Sequence, residues 1–218
     1  MNVELSRFLR DAEDYWFHVY TPRLGDVIVD IGAGRGEDVY AFARAVSREG
    51  RVWAFEPHPE SFRILESFCY EYGLRNVTAL RYACIDRQGP VQIETLPAWE
   101  SNYVRYGEPS PTSFAAEGRR FDDLAAAYGI HGIDFLKMNI EGAERLALPG
   151  CIEWLRRTRY VCVAAHDFRA DEGEAFRTMH FVKSFLASAG FAVTTRETDP
   201  RDYVSYHVHG VNRSLAGG

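Results

Sequence analysis

At 218 residues, with hydrophobic residues at 46% and charged residues at 26%, the chain has the size and make-up of one globular domain, which excludes a mainly disordered protein. Lysine and arginine total 25 against 31 Asp and Glu, and the resulting net charge of −6 disfavours a general nucleic-acid surface. Cys69, Cys84, Cys151 and Cys162 form no CxxC pair and read as buried thiols in a reducing, cytoplasmic setting, not as a disulfide frame or zinc knuckle.

The start, MNVELSRFLRDAEDYW, is too polar for a signal peptide, and no window approaches the ~18 apolar residues of a membrane span. Residues 4–18 instead show Leu5, Phe8, Leu9, Ala12 and Tyr15 at helical spacing. VIVDIGAG (27–34) is a nearly all-apolar run of the kind found in strands covered on both faces. A helix over 36–48, a strand RVWAFEP (51–57) and a helix from Ser61 to about Tyr72, stopped by Gly73, follow. VTALRYAC (77–84) reads as a third strand and Val91 to Leu96 as a short one. Residues 97–120 then break the pattern, with three prolines, two glycines and Trp99, Tyr103, Tyr106 and Phe114. So long a connection suggests a binding loop or lid. Regularity returns with a helix near 121–128, the strand IDFLKMNI (133–140) and a helix over 142–148. A strand YVCVAAH (160–166), a helix over 173–189 and an antiparallel pair, FAVTTRE (191–197) with VSYHVHGV (204–211), complete a single three-layer α/β domain.

Asp30-Ile31-Gly32-Ala33-Gly34-Arg35-Gly36 follows a strand and opens a helix, where glycines permit a tight turn and close approach of a ligand. Glu56 ends the next strand, 20 residues past Gly36, where its carboxylate can accept both hydroxyls of a ribose. Together these features point to an adenosine-containing ligand. A dinucleotide usually takes a GxGxxG turn facing its pyrophosphate. Here the spacing is GxGxG and Asp30 stands before it, which suits a ligand with an ammonium group and points to S-adenosylmethionine (SAM). A dinucleotide, or a turn needed only for chain reversal, is the competing reading.

The run from Val27 to Glu66 resembles the first half of class I SAM-dependent methyltransferases. FDDL (121–124) and IDFLKMNIEGAERLALPG (133–150) resemble, more narrowly, the FkbM-type methyltransferases. The resemblance implies a Rossmann-like seven-stranded, mostly parallel sheet with its last strand antiparallel. It implies that Glu56 and Pro57 hold the nucleoside, that the turn of Gly32, Ala33, Gly34 and Gly36 flanks the amino-acid end, and that Asp86 lies near adenine. Methyl transfer to a hydroxyl of a small molecule, of natural-product or sugar type, is the activity it implies. Asn139 departs from the family phrase, where an aspartate is more usual.

Within strand 133–140, period two sets Lys137, Asn139 and Glu141 on one side, and the natural partner of a buried Lys137 is Asp30 on the first strand. Asn139, with an amide that both donates and accepts, is a candidate for the acceptor hydroxyl or the SAM amino-acid end. Glu141 reaches the carboxyl edge of the sheet, where such folds bind ligands, and His166 ends strand five at the same edge. His166 is the candidate base for an acceptor hydroxyl. Asn139, Glu141, His166 and Asp167 could instead hold a cation, but no compact metal motif supports that, so no metal is expected. His58 reads as a wall of the cofactor site, whereas His207 and His209 in the last strand carry no site signature. The remaining alternatives are a SAM-binding module without transfer and a structural partner protein that binds no nucleoside, and a homodimer is the oligomer expected.

Overall fold

The computed structural model describes residues 3–215. In chain order these form α1 (Val3–Tyr15), β1 (Val27–Ile31), α2 (Glu37–Ala45), β2 (Arg51–Phe55), α3 (Pro59–Glu71), β3 (Val77–Leu80), β4 (Ala83–Cys84) and β5 (Gly89–Glu94). There follow β6 (Tyr103–Arg105), β7 (Ser113–Arg119), α4 (Phe121–Ala127), β8 (Ile133–Met138), α5 (Glu144–Ala147) and α6 (Ile152–Leu155). The last elements are β9 (Thr158–Ala164), α7 (Met179–Ser188), β10 (Phe191–Thr195), α8 (Asp202–Ser205) and β11 (His207–Asn212). No helix among the described residues is long and apolar enough to cross a membrane.

Seven strands make the main sheet in the order β10-β11-β9-β8-β1-β2-β3. All run parallel except β11, which is antiparallel to both β9 and β10. The Rossmann-like fold expected from the sequence is therefore present. The central strands VIVDI and IDFLKM are apolar almost throughout because helices cover both faces. One face packs Ile28, Phe135 and Cys162 under α1, α2 and α3, and the other packs Val29, Leu136 and Val161 against α4, α6 and α7.

Four local expectations are corrected. The third strand stops at Leu80, and β4 leaves it for a second sheet of order β4-β7-β5-β6. Residues 97–120 are thus no irregular loop, since β6 and β7 lie within them and β7 pairs along all of β5. Small residues make this possible, because a side chain at Gly118 would come within 2.2 Å of Ile85 Cδ1. The helix expected from 173 begins only at Met179, where Asp167 Oδ2 accepts from the backbone N–H groups of Thr178 and Met179 at 2.9 and 2.7 Å. Likewise the cap of α3 is His58, whose Nδ1 accepts from the Ser61 N–H, and Ser61 lies inside the helix.

Candidate active site

The carboxyl ends of β1, β2 and β8 open into a cleft of about 790 Å³ including its mouth. Its floor is the glycine turn. Gly32 has φ +83°, and a Cβ there would stand 1.9 Å from the carbonyl oxygen of Asn139, so only glycine lets β1 pass so close to the end of β8. Glu56 sits beside this turn. Its Oε2 accepts from Gly34 N–H and its Oε1 from His58 N–H, each at 2.9 Å. Burial pushes its carboxyl up to about 7, against the pull of those two N–H groups. Each oxygen keeps a second lone pair for a ligand hydroxyl. Trp99 leans over the turn with its ring about 3 Å from where a Gly34 side chain would begin, and the Arg35 guanidinium lies 4.4 Å from that ring.

Beneath the turn lies a buried ion pair. Lys137 Nζ is 2.8 Å from Asp30 Oδ1, 3.4 Å from Asp38 Oδ2, and donates to the Gly32 carbonyl at 2.8 Å. The pairing expected from strand order is present. Burial raises the Asp30 carboxyl to about 7 while the lysine charge restrains the rise. For Lys137 burial acts downward, but Asp30 and Asp38 outweigh it, and its ammonium is held charged. Asp30 is fully buried and already bound to a cation, so it is not free for the ammonium of a ligand, contrary to expectation. The acids that do line the cleft are Glu37, Asp38, Glu56, Glu100 and Glu141.

At the far edge, Glu141 adopts φ +55°, a left-handed conformation costing a residue with a side chain about 1–2 kcal/mol. Side-chain contacts fix it there. Its Oε1 is 3.0 Å from His166 Nε2 and its Oε2 accepts from Arg169 Nη1 at 2.6 Å. The other ring nitrogen of His166 lies 2.9 Å from Glu144 Oε1. Burial alone would lower the imidazole pKa, but Glu144 and Glu141 outweigh it and hold it up to about 10. His166 thus carries its proton at neutral pH with both nitrogens facing carboxylates. This corrects its expected role as a base. Arg169 Nη1 also reaches the Ser101 carbonyl at 3.2 Å, which ties the segment after Trp99 to Glu141.

Of the sequence candidates, the fold brings Gly32, Ala33, Gly34, Glu56, Pro57, Asn139 and Glu141 to one cleft, with His58 on its wall as expected. Gly36 lies beside it and instead admits Leu65 and Phe68, whose atoms would stand 3.1 Å from an added Cβ. Asp86 is exposed, accepts from the Tyr106 hydroxyl and does not line the cleft. Asp167 caps α7, and the charge of Glu141 is already matched by His166 and Arg169, so these groups are not set up to hold a further cation. Arg169, Glu144 and Asp38 were missed. Glu37-Asp38 directly after the glycine turn was a readable signal, whereas Arg169 lies in a segment without periodicity.

A family model described as the methyltransferase FkbM domain matches residues 30–193. The chain is 26% identical over 170 residues to the 2-O-methyltransferase NoeI of Sinorhizobium fredii, covering 68% of this chain and 66% of the relative. It is 29% identical over 143 residues to the hexuronic acid methyltransferase AglP of Haloferax volcanii, covering 65% and 56%. The chain thus spans less than two thirds of the length of the relatives it matches. Among solved structures, a methyltransferase FkbM from Methylobacillus flagellatus KT superposes with a TM-score of 0.60 at 17% identity, covering 88% of this chain and 45% of that one. That likeness speaks for the fold. With the matched segment running from Asp30 in the glycine turn's strand to Val193 near the end of the sheet, the chain belongs to the FkbM family of methyltransferases.

Proposed function

We propose that this chain transfers a methyl group from SAM to a hydroxyl of a small saccharide-type acceptor. The observation that carries the reading is Glu56, held by two backbone N–H groups beside the glycine turn with lone pairs left to accept from the two hydroxyls of a ribose. The cleft supports SAM over a dinucleotide because it is lined by five acids, which would repel a pyrophosphate. The acceptor class is carried over from the two curated relatives, one named for a 2-O-methyl transfer and one for hexuronic acid.

When bound, SAM supplies an electrophilic methyl carbon on sulfur, so the protein's part is alignment and exclusion of water. Gly32 and Gly34 let the ligand approach the backbone, and Glu56 fixes the ribose. Glu141, rigid between His166 and Arg169, presents carboxylate oxygen at the cleft edge to orient the acceptor hydroxyl. Asn139 beside it donates or accepts without adding charge. Transfer would leave the demethylated cofactor and the methylated acceptor, with the hydroxyl proton released to solvent.

Calorimetry with SAM and with NAD tests the cofactor, and incubation of SAM with a panel of mono- and oligosaccharides, uronic acids included, tests transfer by the mass gain of one methylene. Glu56→Ala is expected to weaken SAM binding at least tenfold, since a hydrogen bond to a charged group contributes roughly 1.5–3 kcal/mol. NAD binding as tight as that of SAM would overturn the assignment.

A further inference from the structure

On the sheet face covered by α1, a cross-strand row runs Asp30, Lys137, Cys162 and His209 through β1, β8, β9 and β11. Asp30 and Lys137 satisfy each other, but the other two have no such exchange. His209 is fully buried, and among the described residues neither of its ring nitrogens has a hydrogen-bond partner. Buried polar atoms in folded proteins are nearly always paired, so this ring calls for a ligand. His207, two residues earlier on the same face, is also buried, and its Nδ1 stands 3.1 Å from the Tyr15 carbonyl oxygen. That oxygen can only accept, so Nδ1 carries the hydrogen and Nε2 keeps a free lone pair. Metal-ligating imidazoles are oriented in this way, one nitrogen donating to a carbonyl and the other facing the ion.

One ligand atom from each of Cys162, His207 and His209 lies within 4.8 Å of the other two. We propose that these three side chains bind a zinc-class divalent ion, at a site separate from the methyl-transfer cleft and independent of that reading. A thiolate and two imidazoles are a soft, nitrogen-rich set that suits zinc and not magnesium or calcium. Tetrahedral zinc, at ~2.3 Å from sulfur and ~2.0–2.1 Å from nitrogen, needs donors roughly 3.4–3.6 Å apart, so the three side chains close by at most about 1.4 Å on binding. Cys162 releases its thiol proton to solvent as the sulfur–metal bond forms. Exposed His18, its ring centroid 5.0 Å from that of His209, stands outside this group and would have to turn inward to take the fourth position, which water would otherwise fill. The sequence could not show this site, because Cys162 and the HVH run stand 45 residues apart and meet only through the β9–β11 register.

One side chain links this separate site to the cleft. Trp16 stacks on His207 at 4.6 Å and 16°, and its indole N–H donates at 2.9 Å to Asp38, which lines the cleft. Occupancy would therefore steady an acid of the cleft through a single indole.

The test titrates chelator-treated full-length protein with Zn²⁺ alone, then with Co²⁺, whose thiolate charge-transfer absorption reports a cobalt–sulfur bond. Wild type is expected to bind one equivalent of Zn²⁺ and, at a hundredfold excess over its dissociation constant, to melt roughly 5–11 °C higher. The cobalt band should appear in wild type and in Cys69→Ser, vanish in Cys162→Ala, and weaken in His209→Gln. His18→Ala should keep the band and shift only the ligand-field absorption. Absence of a thiolate band in wild type overturns the proposal without reference to any variant that fails to fold. A band that survives in folded Cys162→Ala, or a Zn²⁺ titration that shows no binding because water alone satisfies His209, overturns it equally.

Discussion

Replacing His166 by glutamine tests whether this ring is a cation that anchors two carboxylates or a base that titrates near neutrality. In the structure the imidazolium lies between Glu141 at 3.0 Å and Glu144 at 2.9 Å, and the pair of acids raises its pKa from 6.5 to about 10. At about 1.4 kcal/mol for each pH unit, that rise sets a ceiling near 5 kcal/mol on the stability linked to its proton. Removing one member of a buried ion pair costs roughly 3–5 kcal/mol, in agreement with that ceiling. For a chain of this size the loss corresponds to a melting point lower by roughly 6–20 °C. The sign with pH follows from the raised value. The contribution is complete below about 6.5, where folded and unfolded rings are both protonated, and it fades as pH climbs toward about 10. Wild type should therefore lose stability across that window, and His166→Gln should show a much flatter profile. His166→Gln with Glu144→Gln should regain part of the loss, because one unpaired acid is removed with the ring. Urea melts at several pH values give the stabilities, and imidazole NMR shifts follow the ring directly. A ring titrating near 6.5, or a variant as stable as wild type throughout, would refute the reasoning.

Three further outcomes are expected. Lys137→Met leaves Asp30 buried without its cation and should lower the melting point by a similar 6–20 °C, while adding Asp30→Asn should restore most of it in thermal melts. If the two changes simply add, the pair is not coupled. Gly32→Ala puts a methyl group 1.9 Å from the Asn139 carbonyl oxygen at φ +83°; SAM calorimetry should show binding weakened at least tenfold, and unchanged affinity would mean that the turn is not the cofactor floor. Arg169→Ala removes the link from Glu141 to the Ser101 carbonyl, so limited proteolysis should cut faster within 97–102; an unchanged rate would show that other contacts hold this segment.

Much of this architecture was legible because it depends on short-range pattern. Apolar runs such as VIVDI announce strands covered on both faces, and a glycine turn followed by Glu56 marks the ends of two neighbouring strands. The Lys137–Asp30 pair followed from strand order and the cost of a buried charge. The second sheet was not legible, since β6 has three residues, and β7, SFAAEGR, has little apolar alternation to announce it. The place of His166 was readable but its charge was not. That charge depends on Glu144, 22 residues away in sequence, reaching its second nitrogen. Asp30 misled for a related reason: a carboxylate before a glycine turn looks the same in sequence whether it meets a ligand or a lysine.

The clasp on α1 bears on the order in which the chain can fold. Arg196 and Arg201 both grip Asp14, and His207 meets the Tyr15 carbonyl and the face of Trp16, across sequence separations of 182 to 192 residues. While a ribosome is still making the chain, α1 already has partners in α2 and α3, where Phe8 meets Phe68, but the grip on Asp14, Tyr15 and Trp16 must wait. That clasp becomes available only when β11 slots between β9 and β10. Contacts this distant in sequence close late and slowly, so α1 is expected to be among the last elements to lock. A nascent chain stalled before residue 196 would carry α1 resting on α2 and α3 with its C-terminal end still unclasped.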